Sequence, residues 1–258
     1  MKQTNLKSAW GICFLFLGIA AAAVMFMLDF FGLLPQKSYG AEYFGIETIK
    51  SPVDFNGNGT DDYTDILLGA KKDAENKPKY VDKYYKGGYP PENEGVCTDL
   101  IWRAFACAGY SLRDMLDCDI LQNPQDYPRV SHRDNNIDFR RVPNLKVFFD
   151  KYALKLTTDI NEISQFQPGD IVIVNGTKHI GIISDKRAKN GVPFILHNGG
   201  QAKREENALW RMSITAHYRF DAQNLPDNIK EAAGAQPAAF IYLSALSVFF
   251  SKCIRIDL

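Results

Sequence analysis

An excess of charge of either sign is missing from this 258-residue chain: 30 Lys and Arg stand against 30 Asp and Glu. A sequence-independent grip on nucleic acid needs surplus positive charge along one face, so nucleic acid is not an expected partner. Cysteine is scarce, with five residues. Cys13 falls in an apolar run and Cys253 among the last six residues, which leaves Cys97, Cys107 and Cys118 for the body. That odd set, without CxxC spacing, excludes the disulfide framework of a small secreted domain. One bridge, Cys107 with Cys118, is the most it allows, and buried thiols are the ordinary alternative. No internal repeat is present. Hydrophobic residues at 46% and charged residues at 23% are globular proportions, neither disordered nor fibrous.

Only one apolar run is long enough to cross a bilayer. Residues 10–28 carry no charge, and apolar character resumes after Asp29. Lys2 and Lys7 precede the run, so the positive-inside rule leaves the N-terminus in the cytoplasm and sends everything after Pro35 outside. The run exceeds the usual length of a signal-peptide core, which favours an uncleaved anchor: a cell-membrane protein, single-pass, with its domain extracytoplasmic. Secretion after cleavage near Ser38-Tyr39-Gly40 is the alternative. Without residues 1–35 the body has a net charge of −1 and no basic patch for anionic lipid.

Four segments follow: 1–35 as anchor or signal, 36–78 as a lead, 79–221 as the main domain, and 222–258 as a tail with an apolar stretch at 238–251. In the lead, Asp54, Asn56, Asn58, Asp62 and Asp65 stand at positions 1, 3, 5, 9 and 12 of a loop with Gly59 at position 6. A carbonyl at Thr60 completes the pattern by which an EF-hand-type loop wraps Ca²⁺. A structural calcium is therefore expected there, against the plainer reading of an Asx- and Gly-rich turn capping a helix over 62–73. Asp65 is shorter than the usual glutamate at position 12, and no entering helix precedes Asp54. Further helices are expected from Cys97 to about Ala108, over 112–118 and over 145–152. Gln167-Pro168-Gly169-Asp170 then turns the pattern to strands over 171–174, 179–184, 192–197 and 210–220. Helices first and an antiparallel meander after make an α+β fold.

Cys97 opens an amphipathic helix just after a glycine. A helix N-terminus carries about half a positive charge and free N–H groups, which favour a thiolate and suit a nucleophile. A buried structural thiol is the plain alternative. If the 185–191 loop centres on Ala188, His179 lies directly opposite His197 on one face of a hairpin, and one imidazole orients the other. A slip of one residue would instead bring Asn198 to the orienting place. Cys97, His179 and His197 would also suit zinc with an open position, although a fourth ligand is missing.

The motifs Gly-Val-Cys97-Thr-Asp, Pro168-Gly-Asp-Ile-Val, His179-Ile-Gly-Ile and Ile195-Leu-His197-Asn resemble the succession found in NlpC/P60-like, papain-fold cysteine hydrolases. The stretch from about Lys79 to Asp221 is most similar to the bacterial domain of unknown function 1287. Asn136-Ile-Asp-Phe-Arg140-Arg141-Val-Pro-Asn144-Leu and His217-Tyr-Arg219 carry that likeness. The resemblance implies a papain-like α+β fold with N-terminal helices packed on an antiparallel sheet. It implies Cys97 as nucleophile, His179 as general base and His197 as the orienting residue, with no cofactor for catalysis. Tyr84 and Tyr85 match a tyrosine that such enzymes often place near the oxyanion. Arg140, Arg141 and Arg219 are candidates for binding substrate carboxylates, or for pairing with nearby acids. The expected activity is cleavage of an amide bond in peptidoglycan peptides. The alternative is a membrane-tethered binding domain of the same fold.

Overall fold

The computed structural model describes residues 5–30 and 34–234. Helix α1 (Asn5–Phe30) contains a 21-residue apolar span, Trp10–Phe30, with none of it buried against the rest of the molecule. At 1.5 Å per residue this span is ~31 Å long, the thickness of a bilayer core. It is a single N-terminal apolar helix of the kind found in single-pass membrane proteins and in signal sequences. Its last residue meets the domain: the Arg211 guanidinium sits 4.8 Å over the Phe30 ring and donates to the Phe30 carbonyl. The chain then runs along the domain edge, where Asn207 N–H donates to Gln36 (3.0 Å) and Tyr39 bridges Arg187.

The remaining elements are α2 (Asp62–Asn76), β1 (Lys79–Tyr80), β2 (Glu94–Gly95), α3 (Cys97–Cys107), α4 (Leu112–Gln122) and α5 (Val142–Tyr152), then β3 (Ala153–Lys155), β4 (Ile171–Val174), β5 (His179–Arg187), β6 (Pro193–Leu196), β7 (Glu205–Glu206), β8 (Ile214–Phe220) and α6 (Asp227–Ala233). Strands β1 and β2 form a short parallel pair, and the other six form one antiparallel sheet in the order β3-β8-β4-β5-β6-β7. The fold is α+β, helices first, as the pattern of the sequence predicts.

Helix α3 forms because Leu100, Ile101, Ala104 and Phe105 recur at helical spacing, and all four are fully buried. They meet Ile180, Ile182 and Leu196 of the sheet in one core. Full burial of each large side chain stabilises by about 1.5–3 kcal/mol, which fixes the helix on the sheet. On its other side α3 touches α2 closely at Gly69, where a Cβ would lie 2.7 Å from Cys107 Cβ and 2.8 Å from Ala104 Cα. Only glycine permits that approach. The boundaries drawn at 78/79 and 221/222 do not separate cores. Ile66 and Ala70 of α2, with Leu225, Ile229 and Ala233 near the end, belong to the same cluster as Phe105 and Phe220. The apolar stretch at 238–251 and Cys253 lie outside the described residues, and no bridge joins Cys107 to Cys118, whose thiol is free like those of Cys13 and Cys97.

The 54–65 loop closes on its own hydrogen bonds. Asp54 accepts from the N–H groups of Asn58 and Gly59, and the amides of Asn56 and Asn58 both donate to Asp65 (2.8 and 2.9 Å). The two oxygens of Asp62 accept from Phe55 N–H (2.9 Å) and the Tyr110 hydroxyl (2.5 Å). Thr60 donates its N–H to Asn58. Among the described residues no three His, Cys, Asp or Glu side chains are grouped to hold a metal ion.

Candidate active site

Cys97 is the first residue of α3 and is 6% exposed. Two interactions hold this helix start. Asp99, three residues in, reaches back to accept from Val96 N–H (2.7 Å), half of a capping box. Thr98 donates its hydroxyl to the Arg140 carbonyl (3.0 Å). Burial pushes the Cys97 thiol up to about 11, and the backbone N–H groups of Ile180, Thr98 and Cys97 itself oppose that rise. Ile180 follows His179, so the sulfur lies against the start of β5.

His179 is delivered there by the turn after β4, in which Asn175 and Gly176 take left-handed conformations (φ 55° and 74°). Its Nε2 lies 2.7 Å from Nδ1 of His197, with the rings edge to face at 4.9 Å. Burial first, then the neighbouring His197, lowers His179 to about 4. No hydrogen bond joins Cys97 to His179 among the described residues. The two histidines come together by a different register from the one expected. Ile182 pairs with Leu196 and Ile183 with Ile195, while beyond a bulge Arg187 pairs with Pro193. The turn centres nearer Asn190, so His179 and His197 are diagonal neighbours and not direct partners. A shift of two residues keeps the face, which is why the pair survives. Continued by the same register, Gly199 stands opposite His179, and a Cβ there would lie 3.6 Å from His179 Cε1 and 3.9 Å from His197 Nδ1. His197 reaches on to Glu206, Nε2 to Oε1 at 3.1 Å.

The other candidates separate. Asn198 is not the orienting residue: its amide donates to Gly95 O (3.1 Å) and Pro78 O (3.4 Å), tying β1 and β2 to the sheet. Tyr84 is 54% exposed and donates to Asp134, while Tyr85 donates to Glu94 (2.6 Å), so neither hydroxyl is free for an oxyanion. Tyr80 stands closer. Its Cβ would lie 3.5 Å from a Cβ at Gly200, and its phenol is raised first by partial burial and next by negative charge on Cys97. Arg140 is no surface reader of carboxylates. It is buried against Asp99 with two bonds of 2.8 Å, donates to Lys83 O, and lies 4.9 Å from the Tyr85 ring centre. Arg219 is likewise paired with Asp170 (2.7 and 2.8 Å), which also faces His217 at 3.0 Å. Arg141 is the exposed one of the three. Glu206, Tyr80 and the Asp99–Arg140 pair carried no signal in the sequence, since their partners lie 9, 120 and 41 residues away with no repeating pattern to join them.

Residues 67–220 match the family model described as domain of unknown function (DUF1287). The chain belongs to the DUF1287 family. This DUF1287 chain is also 38% identical over 149 residues to an uncharacterised protein, YijF, of Escherichia coli (strain K12), covering 55% of the chain and 72% of that relative. No solved structure matches it.

Proposed function

We propose that this DUF1287 chain is an extracytoplasmic cysteine hydrolase, anchored by α1, that cleaves an amide bond in the peptide part of the bacterial cell wall. One observation carries the reading: a buried cysteine begins a helix against a strand whose first residue is a histidine, itself hydrogen-bonded to a second histidine. A nucleophile-bearing helix packed on an antiparallel sheet that carries the base supports a papain-like fold of the NlpC/P60 kind. The export signal of the N-terminus supports cell-wall peptide as the substrate class.

The chemistry follows from the two buried groups. At neutral pH Cys97 rests as a thiol and His179 as a neutral imidazole. His179 Nε2 is engaged by His197, so Nδ1 takes the proton from Sγ as the sulfur lone pair forms a C–S bond with the substrate carbonyl carbon. The N–H groups of Cys97 and Thr98, at the start of α3, hold the oxyanion, and Tyr80 is assigned the place the resemblance gave to Tyr84 and Tyr85. Collapse breaks the C–N bond, and His179 returns its proton to the leaving amine. Water, deprotonated by His179, then hydrolyses the thioester.

The test is digestion of purified peptidoglycan by the full chain in detergent micelles, wild type beside Cys97→Ala, with released fragments identified by mass spectrometry. Fragments from the wild type alone are expected and their masses name the bond. The same fragments from Cys97→Ala refute the nucleophile. A second reading, a tethered binding domain, is favoured by the high resting pKa of the thiol. It predicts no fragments from either protein, together with sluggish alkylation of Cys97 by iodoacetamide.

A further inference from the structure

The hydrogen-bonded chain behind His179 continues past His197 and ends on an ion pair whose carboxylate is buried and whose arginine is partly exposed. His197 is 4% exposed and Glu206 2%. Glu206 Oε1 lies 3.1 Å from His197 Nε2, and both of its oxygens lie 3.3 Å from Arg211 Nη2. Arg204 adds a second positive charge facing the same carboxylate. We propose that Glu206, clamped by Arg211, is a positioning residue that sets the tautomer of both histidines. The proposal rests on the hydrolase reading only for the use to which the free ring nitrogen is put.

One proton decides both tautomers. The 2.7 Å contact between His179 Nε2 and His197 Nδ1 holds a single hydrogen, and it belongs to one ring or the other. Two neighbours of His197 Nε2 pull in opposite senses. Glu206 is an acceptor only, so facing it requires Nε2–H on His197. The Gln201 amide nitrogen, 3.1 Å from the same atom, is a donor and would suit the opposite tautomer. That amide is fixed, because Gln201 Oε1 accepts from Gly199 N–H (2.7 Å) and its nitrogen already donates to His197 O (2.9 Å). Gln201 therefore has a partner without the ring, and Glu206 offers the stronger, charge-assisted bond. With Nε2–H on His197, its Nδ1 accepts from His179 Nε2–H, and Nδ1 of His179 is left bare and basic. The opposite tautomer would put a hydrogen on His179 Nδ1 and leave the thiol without a base. Dispensing with Glu206 thus alters a nitrogen two rings away.

Ring-¹⁵N histidine in the full chain, in detergent micelles at pH 7.5, reads these states directly by long-range ¹H–¹⁵N correlation, with assignments from His132→Gln, His179→Gln and His197→Gln. The expected result is Nε2–H on both His179 and His197 in the wild type and in Glu206→Asp, and Nδ1–H on both in Glu206→Gln. Wild-type His197 found as Nδ1–H or doubly protonated overturns the proposal without any variant, so a Glu206→Gln protein that fails to fold leaves it decidable. Unchanged tautomers in a folded Glu206→Gln protein overturn it equally. Peptidoglycan digestion separates the two readings. When both hold, Glu206→Gln slows turnover by roughly 10²–10⁴-fold, the share of a positioned general base, with KM little altered. The expected tautomers in a wild type that releases no fragments would retire the hydrolase and keep the positioning role.

Discussion

Replacing Arg140 with methionine tests whether this arginine serves the fold or the substrate. Its guanidinium makes two 2.8 Å bonds to Asp99, both side chains being at most 1% exposed, and Asp99 also accepts from Val96 N–H (2.7 Å) and Trp102 Nε1 (2.9 Å). Methionine fills similar volume but leaves the Asp99 carboxylate buried with two neutral donors and no counter-charge. Removing one partner of a buried ion pair costs about 3–5 kcal/mol. Arg141→Met, at an exposed neighbour, is expected within about 0.5 kcal/mol of wild type. Asp99 also disfavours the Cys97 thiolate, so losing its counter-charge is expected to raise the thiol further and slow alkylation. Urea denaturation followed by Trp102 fluorescence reads the stability, because the indole reports on Asp99 itself. Equal midpoints for the Arg140 and Arg141 variants would refute the structural assignment, and a KM rise with unchanged stability would return Arg140 to substrate binding.

Three further outcomes are expected. His179 is held near 4 in the folded protein against an ordinary 6.5, so as pH falls from 6.5 towards 4 the unfolded chain takes up a proton that the folded site refuses. At about 1.4 kcal/mol per pH unit this costs about 3 kcal/mol, fully absent above 6.5; denaturation at pH 7.5 and 4.5 should show wild type losing more stability than His179→Gln, and equal losses sink the idea. Gly199→Ala is expected to keep activity while Gly199→Val loses it, because a Cβ there clears the histidine pair but branched methyls do not. Amide release beside a melting curve decides, and an active valine variant contradicts the geometry. Tyr80→Phe, at a 45% exposed position, should leave the melting temperature unchanged and lower kcat on the order of 10²–10³-fold, as loss of one oxyanion donor does; an unaltered kcat removes Tyr80 from the site.

Local pattern carried much of this protein into view. The helix at Cys97, the strand at Ile171–Val174 and the Asn175-Gly176 turn follow from side-chain periodicity and backbone preference, which act over a few residues. The joining of His179 to His197 was legible for the same reason, since strand alternation preserves the face even when the register moves by two. Register itself was not legible. It depends on the bulge between Ile183 and Arg187, whose position answers to the whole sheet. Residues with a polar side chain posed a harder problem, because arginine among carboxylates looks alike whether it pairs inside or reads a ligand outside. Arg140 and Arg219 found Asp99 and Asp170 across 41 and 49 residues, and Glu206 found His197 and Arg211. A buried charge must be matched wherever the fold brings an opposite one. Sequence alone thus determined the elements, the N-terminal apolar helix and the meeting of His179 with His197, while tertiary structure alone decided which charges pair inside the fold and which stay exposed.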